Sequence, residues 1–165
     1  MDERQKRLIV NLSLGKLSED DFLEEFSDNI DHDLDILRLL MSVKLNEDAG
    51  ELECVMLLGF HFGFPVDCGS ILCEILGLSW HQQHENIVFA LQKIKFAGAA
   101  EALYIAAISH FAYLEYDETY ALGVKCEYAL RAIGTASAKD KLIALSRGAN
   151  KVLAENALKM LSAFE

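Results

Sequence analysis

The chain has 165 residues, of which 52% are apolar and 25% charged, and its formal net charge is −11. This composition excludes a disordered chain, and the length suits one domain with a continuous core. The acidic balance disfavours nucleic acid as a partner, because phosphates and carboxylates repel. The apolar runs are shorter than the roughly 18 residues of a membrane span, and the first residues lack a signal-peptide pattern. We therefore expect a cytoplasmic protein that does not bind membranes.

Helical spacing of apolar residues and capping residues predict five helices in the first half of the chain. Ser18 is a predicted N-cap, Asp31 or Asp33 is expected to cap the third helix, and Pro65 follows the end of the fourth. The predicted helices cover residues 3–13, 19–26, 34 to about 46, 51–62 and 68–78.

Five further helices are predicted in the second half, over residues 84–96, 99–114, 118–133, 138–147 and 151–164. Gly134 and Gly148 lie where helices commonly end. No sustained period-two alternation or Asn-Gly hairpin turn predicts a strand. The expected fold class is all-α, with about ten antiparallel helices stacked in chain order.

An internal repeat supports this stacking. Residues 90–103 recur 39 positions later, and the matching positions are apolar and helically spaced. A partial third copy begins at Ala157-Leu158. The matched residues are Ala90, Leu91, Ile94, Ala97, Ala99 and Leu103 in one copy and Ala129, Leu130, Ile133, Ala136, Ala138 and Leu142 in the other. Such units bury their apolar faces on neighbouring units and usually bind macromolecules along a broad surface.

The second copy, Ala129-Leu-Arg-Ala-Ile-Gly134 with Leu142-Ile-Ala-Leu145, resembles the consensus of HEAT repeats. Val152 to Leu158 is similar to the start of another unit. The resemblance implies a HEAT-like α-α superhelix, a right-handed stack of antiparallel helix pairs. It would form a single domain over residues 1–165, with divergent acidic helices at 1–80 and the clearest repeats at 81–165.

Four segments occur in an order similar to that of small bacterial HEAT-like immunity proteins of polymorphic toxin and contact-dependent growth inhibition systems. They are Gly15-Lys-Leu-Ser-Glu-Asp-Asp-Phe-Leu23, Leu58-Gly-Phe-His-Phe-Gly63, Trp80-His-Gln-Gln-His-Glu85-Asn-Ile87 and Tyr113-Leu-Glu-Tyr-Asp117. This resemblance implies a cytoplasmic inhibitor that binds a cognate toxin domain, often a nuclease, with no catalytic residues and no cofactor. The alternative is a HEAT-like scaffold or regulatory module without a toxin partner, for which a more apolar groove is expected.

The segment Tyr113-Leu-Glu-Tyr-Asp-Glu-Thr-Tyr120 is the first candidate contact surface, because it lies between the two clearest repeat units. Tyrosines and carboxylates together suit an interface with a cationic protein. The other interpretation is a capped helix start, with Asp117 as the N-cap and Tyr120 in the core. The candidate contact residues of this segment are Tyr113, Glu115, Tyr116, Asp117, Glu118 and Tyr120.

The segment Trp80-His-Gln-Gln-His-Glu85 is the second candidate, because helical spacing places His81, His84 and Glu85 close together. Three interpretations stay open. Trp80 can anchor a helix start while the histidines cap or pack, or the segment can contact a partner. In the third interpretation the histidines bind a metal with ligands from elsewhere or take part in acid-base catalysis. No metal ligand is assigned from the sequence.

Charge provides a third candidate surface. Residues 1–55 contain 15 acidic and 6 basic residues, whereas residues 56–165 contain 11 acidic and 9 basic. The acidic excess is therefore expected either to attract a basic partner or simply to keep the protein dispersed in solution.

Overall fold

The computed structural model describes residues 1–26, 34–114 and 119–162. Within these ranges the fold is all-α, as predicted, with no strand and with short 3₁₀ turns at Ala97–Ala99 and Ala112–Leu114. The α-helices are α1 (Glu3–Ser13), α2 (Glu19–Phe26), α3 (Ile36–Asn46), α4 (Ala49–Phe62), α5 (Cys68–Leu76), α6 (His84–Ile94), α7 (Ala100–Ile108), α8 (Ala121–Ile133), α9 (Ala136–Ser146) and α10 (Lys151–Ser162).

Side-chain caps fix several of the helix starts. The hydroxyl of Ser18 accepts a hydrogen bond from the Asp21 backbone N–H at 3.2 Å, which confirms the predicted cap of α2. The prediction that Asp31 or Asp33 caps α3 is wrong, because Asp35 accepts from the Arg38 N–H at 2.9 Å. Asp31 and Asp33 themselves lie outside the described residues.

The seventh helix is shorter than predicted and ends at Ile108 instead of near residue 114. Ser109 adopts an extended backbone (ψ 152°), and its hydroxyl donates to the Ile105 carbonyl at 2.7 Å. The ring of Phe111, two residues further on, packs on His84. Tertiary packing of the residues after Ser109 therefore outweighs the helical pattern of their sequence.

Contacts between residues divide the chain into two compact units, Met1–Cys68 and Gly69–Glu165. The boundary lies at the start of α5, earlier than the change near residue 80 that the repeat pattern indicates. In the first unit α1 contacts α2 and α4, and α3 also contacts α4. Helix α4 is buried along much of its length, as predicted from its apolar sequence. Its core residues are Leu52, Cys54, Val55, Met56 and Leu58.

The second unit has the two-layer arrangement of a helical repeat. Helix α8 lies beside α6 and α10 in one layer, while α7 lies beside α9 in the other. The 39-residue offset places the last residue of α6, Ile94, on the last residue of α8, Ile133. The next residues, Lys95 and Gly134, both adopt left-handed backbone conformations, with φ of 51° and 69°. The two copies therefore match in backbone geometry as well as in sequence.

Four of the six matched repeat positions are fully buried in both copies. The residues with no exposed surface are Ala90, Leu91, Ala99 and Leu103 in the first copy and Ala129, Leu130, Ala138 and Leu142 in the second. The equivalent residues Ala97 and Ala136, one in each copy, are both exposed. In the partial third copy Ala157 is buried, but Leu158 is 57% exposed. The third copy therefore keeps the alanine of the pattern and not the leucine.

Close contact of α8 with α7 and α10 depends on Gly123. A Cβ atom at this residue would lie 2.7 Å from Leu153 Cδ2 and 3.0 Å from the Ala107 carbonyl oxygen. The Ala107 oxygen belongs to the backbone and cannot rotate away as a side chain can. Gly123 is therefore required by packing and not by its backbone conformation.

We expect Gly123→Ala to destabilise the protein by about 1–2 kcal/mol, because overpacking of roughly 1–3 kcal/mol outweighs the better helix propensity of alanine. The measurement is the midpoint and slope of urea denaturation. Gly50→Ala is the matched control, since a Cβ there would have Asp48 Oδ1 as its nearest neighbour, at 3.4 Å. Equal stability of the two variants would contradict the packing argument.

Candidate functional site

His81 lies in the loop between α5 and α6 and is 2% exposed. Its Nε2–H donates to the Ile75 carbonyl at 2.8 Å, and its Nδ1 accepts from the Gln83 N–H at 3.1 Å. This assignment of the proton follows from the partners, since a carbonyl accepts and an amide donates. Burial lowers the pKa of His81. The neutral imidazole therefore joins the end of α5 to the start of α6.

His84, the first residue of α6, is fully buried beside it. Its Nε2–H donates to the Leu78 carbonyl at 2.9 Å, and its Nδ1 accepts from the Tyr113 hydroxyl at 2.9 Å. The His84 ring centroid lies 4.3 Å from that of His81 and 3.7 Å from that of Phe111. Burial lowers the pKa of His84 to about 4, and the neighbouring His81 adds to this effect.

The low pKa of His84 has a consequence for stability. Because the unfolded chain takes up a proton near pH 6.5 and the folded chain does so near pH 4, the stability that His84 contributes is complete above pH 6.5. It is lost as the pH falls through about 4. His84 therefore acts in the structure as a neutral group.

This geometry favours the structural interpretation of the segment 80–85. All four ring nitrogens of the two histidines have hydrogen-bond partners, so a metal or a transferred proton would have to displace one of them. Trp80 is half-buried and meets His81 edge-on at 4.8 Å, as expected of an anchor. In the described ranges, no group of three or more His, Cys, Asp or Glu side chains is arranged to hold a metal ion.

Among the described residues, the predicted contact candidates differ in their surroundings. Tyr113 is turned towards His84, whereas Tyr120 is 44% exposed. Glu85 is paired across the surface with Lys125, with 2.7 Å between Oε2 and Nζ. Glu115, Tyr116, Asp117 and Glu118 lie outside the described residues. The interpretation of Asp117 as N-cap is wrong, because α8 begins at Ala121 and its N-cap residue is Tyr120.

Tyr120 borders a groove of about 460 Å³ that the sequence did not predict. The groove lies between the end of α7, the segment after it and the first turns of α8 and α10. Its main apolar lining residues are Ile108, Phe111, Leu114, Tyr120, Leu122 and Leu153. Tyr120 has a left-handed backbone (φ 54°), which costs energy for a residue with a side chain and is common at functional sites.

The first unit presents a separate acidic surface. By sequence, residues 1–68 contain 16 acidic and 6 basic residues, and residues 69–165 contain 10 and 9. Helix α2 concentrates this charge, because five of its eight residues are exposed carboxylates: Glu19, Asp20, Asp21, Glu24 and Glu25. These side chains belong to the acidic excess of residues 1–55 that the sequence indicated.

Aromatic packing holds α2 in place. Phe22 is fully buried, and its ring centroid lies 4.8 Å from that of Phe26 and 5.7 Å from that of Phe62. Arg4 donates from its guanidinium to the Glu25 carbonyl at 2.6 Å, near the end of the helix. His61 Nε2 lies 3.0 Å from a Glu19 carboxylate oxygen. The carboxylates therefore project from a fixed helix.

Glu127 is a buried acid that sequence analysis missed. It is fully buried in α8, its Oε2 accepts from the Asn156 side-chain amide of α10 at 2.5 Å, and its Oε1 has no partner among the described residues. Burial raises the pKa of Glu127 to about 7. The sequence holds no signal of this pair, because both residue types are common on exposed helix faces.

No helix in the described ranges is both long enough and apolar enough to cross a membrane. Comparison of the chain with family models, with curated proteins and with solved structures gave no significant match. The acidic helix α2 and the groove beside Tyr120 are therefore the two surfaces of the molecule that bear on its function.

Tyr113→Phe should lower the free energy of unfolding by about 1 kcal/mol, because His84 Nδ1 loses its buried hydrogen-bond donor. Tyr120→Phe, the control, should change it by less than about 0.5 kcal/mol, since the Tyr120 ring is on the surface. Urea denaturation at pH 7 measures both. The opposite ranking would contradict a stabilising hydrogen bond between Tyr113 and His84.

Glu127→Gln should be more stable than the wild type at pH 8, by up to about 3 kcal/mol, and of similar stability near pH 4.5. The folded-state pKa of Glu127 is raised from 4.5 to about 7, so its contribution is lost as the pH rises through 7. Urea denaturation between pH 4.5 and 8.5 tests this. Glu155→Gln, on the exposed surface of α10, is the control, and an equal effect of both variants at pH 8 would contradict the prediction.

Proposed function

We propose that this protein is a cytoplasmic, non-enzymatic inhibitor that binds and neutralises a basic bacterial toxin domain, in the manner of the immunity proteins that its sequence resembles. The observation that supports this most is the concentration of negative charge in the first unit. Its 16 acidic residues include the five exposed carboxylates of α2. A fixed array of this kind is complementary to a cationic surface.

The expected toxin class is a nuclease, because a nuclease active site must attract phosphates and therefore carries lysine and arginine. Carboxylates on α2 would compete for those cations and exclude the nucleic acid substrate. Long-range attraction between the two proteins would raise the association rate more than the final affinity. The rigid anchoring of Phe22 keeps the ordering cost of binding low.

The groove beside Tyr120 is the proposed second contact. Exposed tyrosine and isoleucine side chains at Tyr120 and Ile108 offer apolar area, and interfaces draw much of their affinity from such anchors. By sequence, Glu115, Asp117 and Glu118 lie in the segment that joins Leu114 to Thr119. We include these carboxylates among the expected contacts of a cationic partner.

A HEAT-like scaffold or regulatory module is the second candidate function. The apolar lining of the groove favours it, since such a module would bind a peptide or helix of a host protein through apolar contacts. The two candidates differ in the partner. A toxin encoded beside this chain and bound through α2 supports the first, and a host protein bound in the groove alone supports the second.

Co-expression with the toxin domain encoded directly upstream tests the proposal. We expect the wild-type chain to restore growth and to form a complex with the toxin domain that gel filtration detects. A catalytically inactive toxin variant serves as the binding control, because it should still form the complex without affecting growth. Failure of the wild-type chain both to bind and to restore growth would overturn the proposal.

Replacement of charge on α2 gives a quantitative prediction. Glu24→Gln/Glu25→Gln should lower the association rate constant about three- to tenfold at low salt, because attraction at a distance is weakened. At 0.5 M salt the wild-type chain and the double variant should bind the toxin domain at similar rates, as measured by stopped-flow fluorescence.

The matched control removes the same charge from the second unit, as Asp140→Asn/Glu155→Gln, and both of these residues are exposed. It should change the association rate less than the α2 variant does. An equal decrease in both variants would show that net charge matters and that the position of α2 does not.

A further inference from the structure

The exposed surface shared by α6 and α8 carries three rows of side chains, which we call the α6–α8 face. The first row is the ion pair of Glu85 and Lys125 at 2.7 Å. The second row is Phe89 and Tyr128, each 45% exposed. The third row is Lys93 and Arg131, both exposed. The three residues from each helix are spaced by three or four positions, which keeps them on one side of that helix.

The middle row follows the internal repeat. Phe89 and Tyr128 are 39 residues apart, and each directly precedes an Ala-Leu pair whose two members are fully buried. The repeat therefore places a large aromatic ring on the surface in both copies, where burial of the core does not require it. Lys93 Nζ lies 5.1 Å from the Phe89 ring centroid, so the aromatic and cationic rows are in contact.

The second unit does not share the strong acidic excess of the whole chain. By sequence, residues 69–165 contain 10 acidic and 9 basic residues, and one of the acidic residues is the buried Glu127. On the α6–α8 face itself, Glu85 is matched by Lys125. The balance of the face is therefore two positive charges, from Lys93 and Arg131.

We propose that the α6–α8 face is a second docking surface and that it binds an acidic, apolar segment of a partner protein. Leucine or phenylalanine side chains of the segment pack on Phe89 and Tyr128, and its carboxylates pair with Lys93 and Arg131. Aromatic and arginine residues are the types that interfaces favour at their centres. This polarity is opposite to that of α2, so the surface goes beyond the proposed binding of a basic toxin.

A protein segment fits this face better than a nucleic acid does. Two cations neutralise few phosphates, and the net charge of −11 repels a polyanion at a distance. Proteins that bind single strands combine stacked bases with a continuous basic groove, whereas here the first row is a closed ion pair. A short acidic segment brings fewer charges and more apolar contact.

Fluorescence anisotropy with three labelled decapeptides tests the proposal. The acidic probe is Glu-Glu-Leu-Phe-Glu-Glu-Leu-Phe-Glu-Glu, and the matched probes replace every Glu by Gln or by Lys. We expect the acidic peptide to bind at least tenfold more tightly than the Lys peptide, with the Gln peptide between them. Phe89→Ala/Tyr128→Ala should weaken binding of the acidic peptide at least tenfold, and Lys93→Gln/Arg131→Gln should remove its salt dependence.

Ile105→Ala is the matched control, because Ile105 is an exposed apolar residue of α7, at 47% exposure. It should leave peptide binding unchanged, and circular dichroism should show that all variants are folded. Unchanged binding by Phe89→Ala/Tyr128→Ala, or absence of binding by the acidic peptide, overturns the proposal.

Two further outcomes would assign another occupant and also overturn it. One is tighter binding of a labelled dT12 oligonucleotide than of the acidic peptide. The other is a concentration-dependent dimer in sedimentation equilibrium that Phe89→Ala/Tyr128→Ala abolishes. The double variant Phe89→Ala/Tyr128→Ala should still restore growth in the presence of the toxin. Loss of peptide binding with growth restored separates this proposal from the function assigned to α2.

Discussion

Close packing around α8 is the constraint on which the second unit depends. This helix touches α6, α7, α9 and α10, so it must present small or apolar residues in four directions. Gly123, Cys126, Ala129 and Leu130 meet this requirement, and the latter three are fully buried. Small residues allow helices to approach closely, and the dense contact that results compensates for the modest area each side chain buries. The exposed positions of the same helix are then available for binding.

Polar groups inside this unit are used to position segments. His81 and His84 satisfy carbonyls at the end of α5 and, through Tyr113, hold the chain that follows α7. Burial lowers the pKa of both rings, so His81 and His84 form a structural junction although their spacing is that of a reactive pair. Glu127 and Asn156 join α8 to α10 in the same way, although one carboxylate oxygen stays unmatched among the described residues. Buried polar pairs of this kind restrict how helices can register against each other.

The acidic excess of the molecule lies in one of its two units. The first unit has 16 acidic and 6 basic residues, whereas the second has 10 acidic and 9 basic. The two proposed docking surfaces, α2 and the α6–α8 face, are built on helices whose opposite side is anchored by aromatic or aliphatic packing. Such surfaces need little ordering when they bind, so recognition depends on the pattern of exposed charge and aromatic rings.

Local sequence signals predicted much of the fold because they act over a few residues. Ser18 caps α2 where expected, and Gly134 ends α8 with the left-handed backbone that glycine allows. The end of α7 was missed because residues 109–114 have a helical pattern but gain more from packing Phe111 on His84. The N-cap of α3 was predicted at the wrong residue. Asp31, Asp33 and Asp35 are equally suitable caps by sequence until the first residue of the helix is known.

The candidate site was less predictable than the fold. Charge and tyrosine content indicated acidic and aromatic contacts, and Tyr120 and the carboxylates of α2 are indeed exposed. Tyr113 lies in the same segment as Tyr120, yet its hydroxyl donates to the buried His84, because that contact depends on where His84 lies, 29 residues away in sequence. The groove beside Tyr120 could not be predicted, since its walls come from three helices whose apolar residues look like ordinary core.

The sequence by itself determined the all-α class, the repeat and the uneven charge, because periodicity, small apolar residues and acidic runs are read from neighbouring positions. Tertiary structure alone decided which histidines are buried, which tyrosine bonds to one of them, where α7 ends and that Phe89 and Tyr128 share one exposed face. Those features depend on contacts between residues far apart in the chain, and the energy of such contacts exceeds the local preferences that a sequence displays.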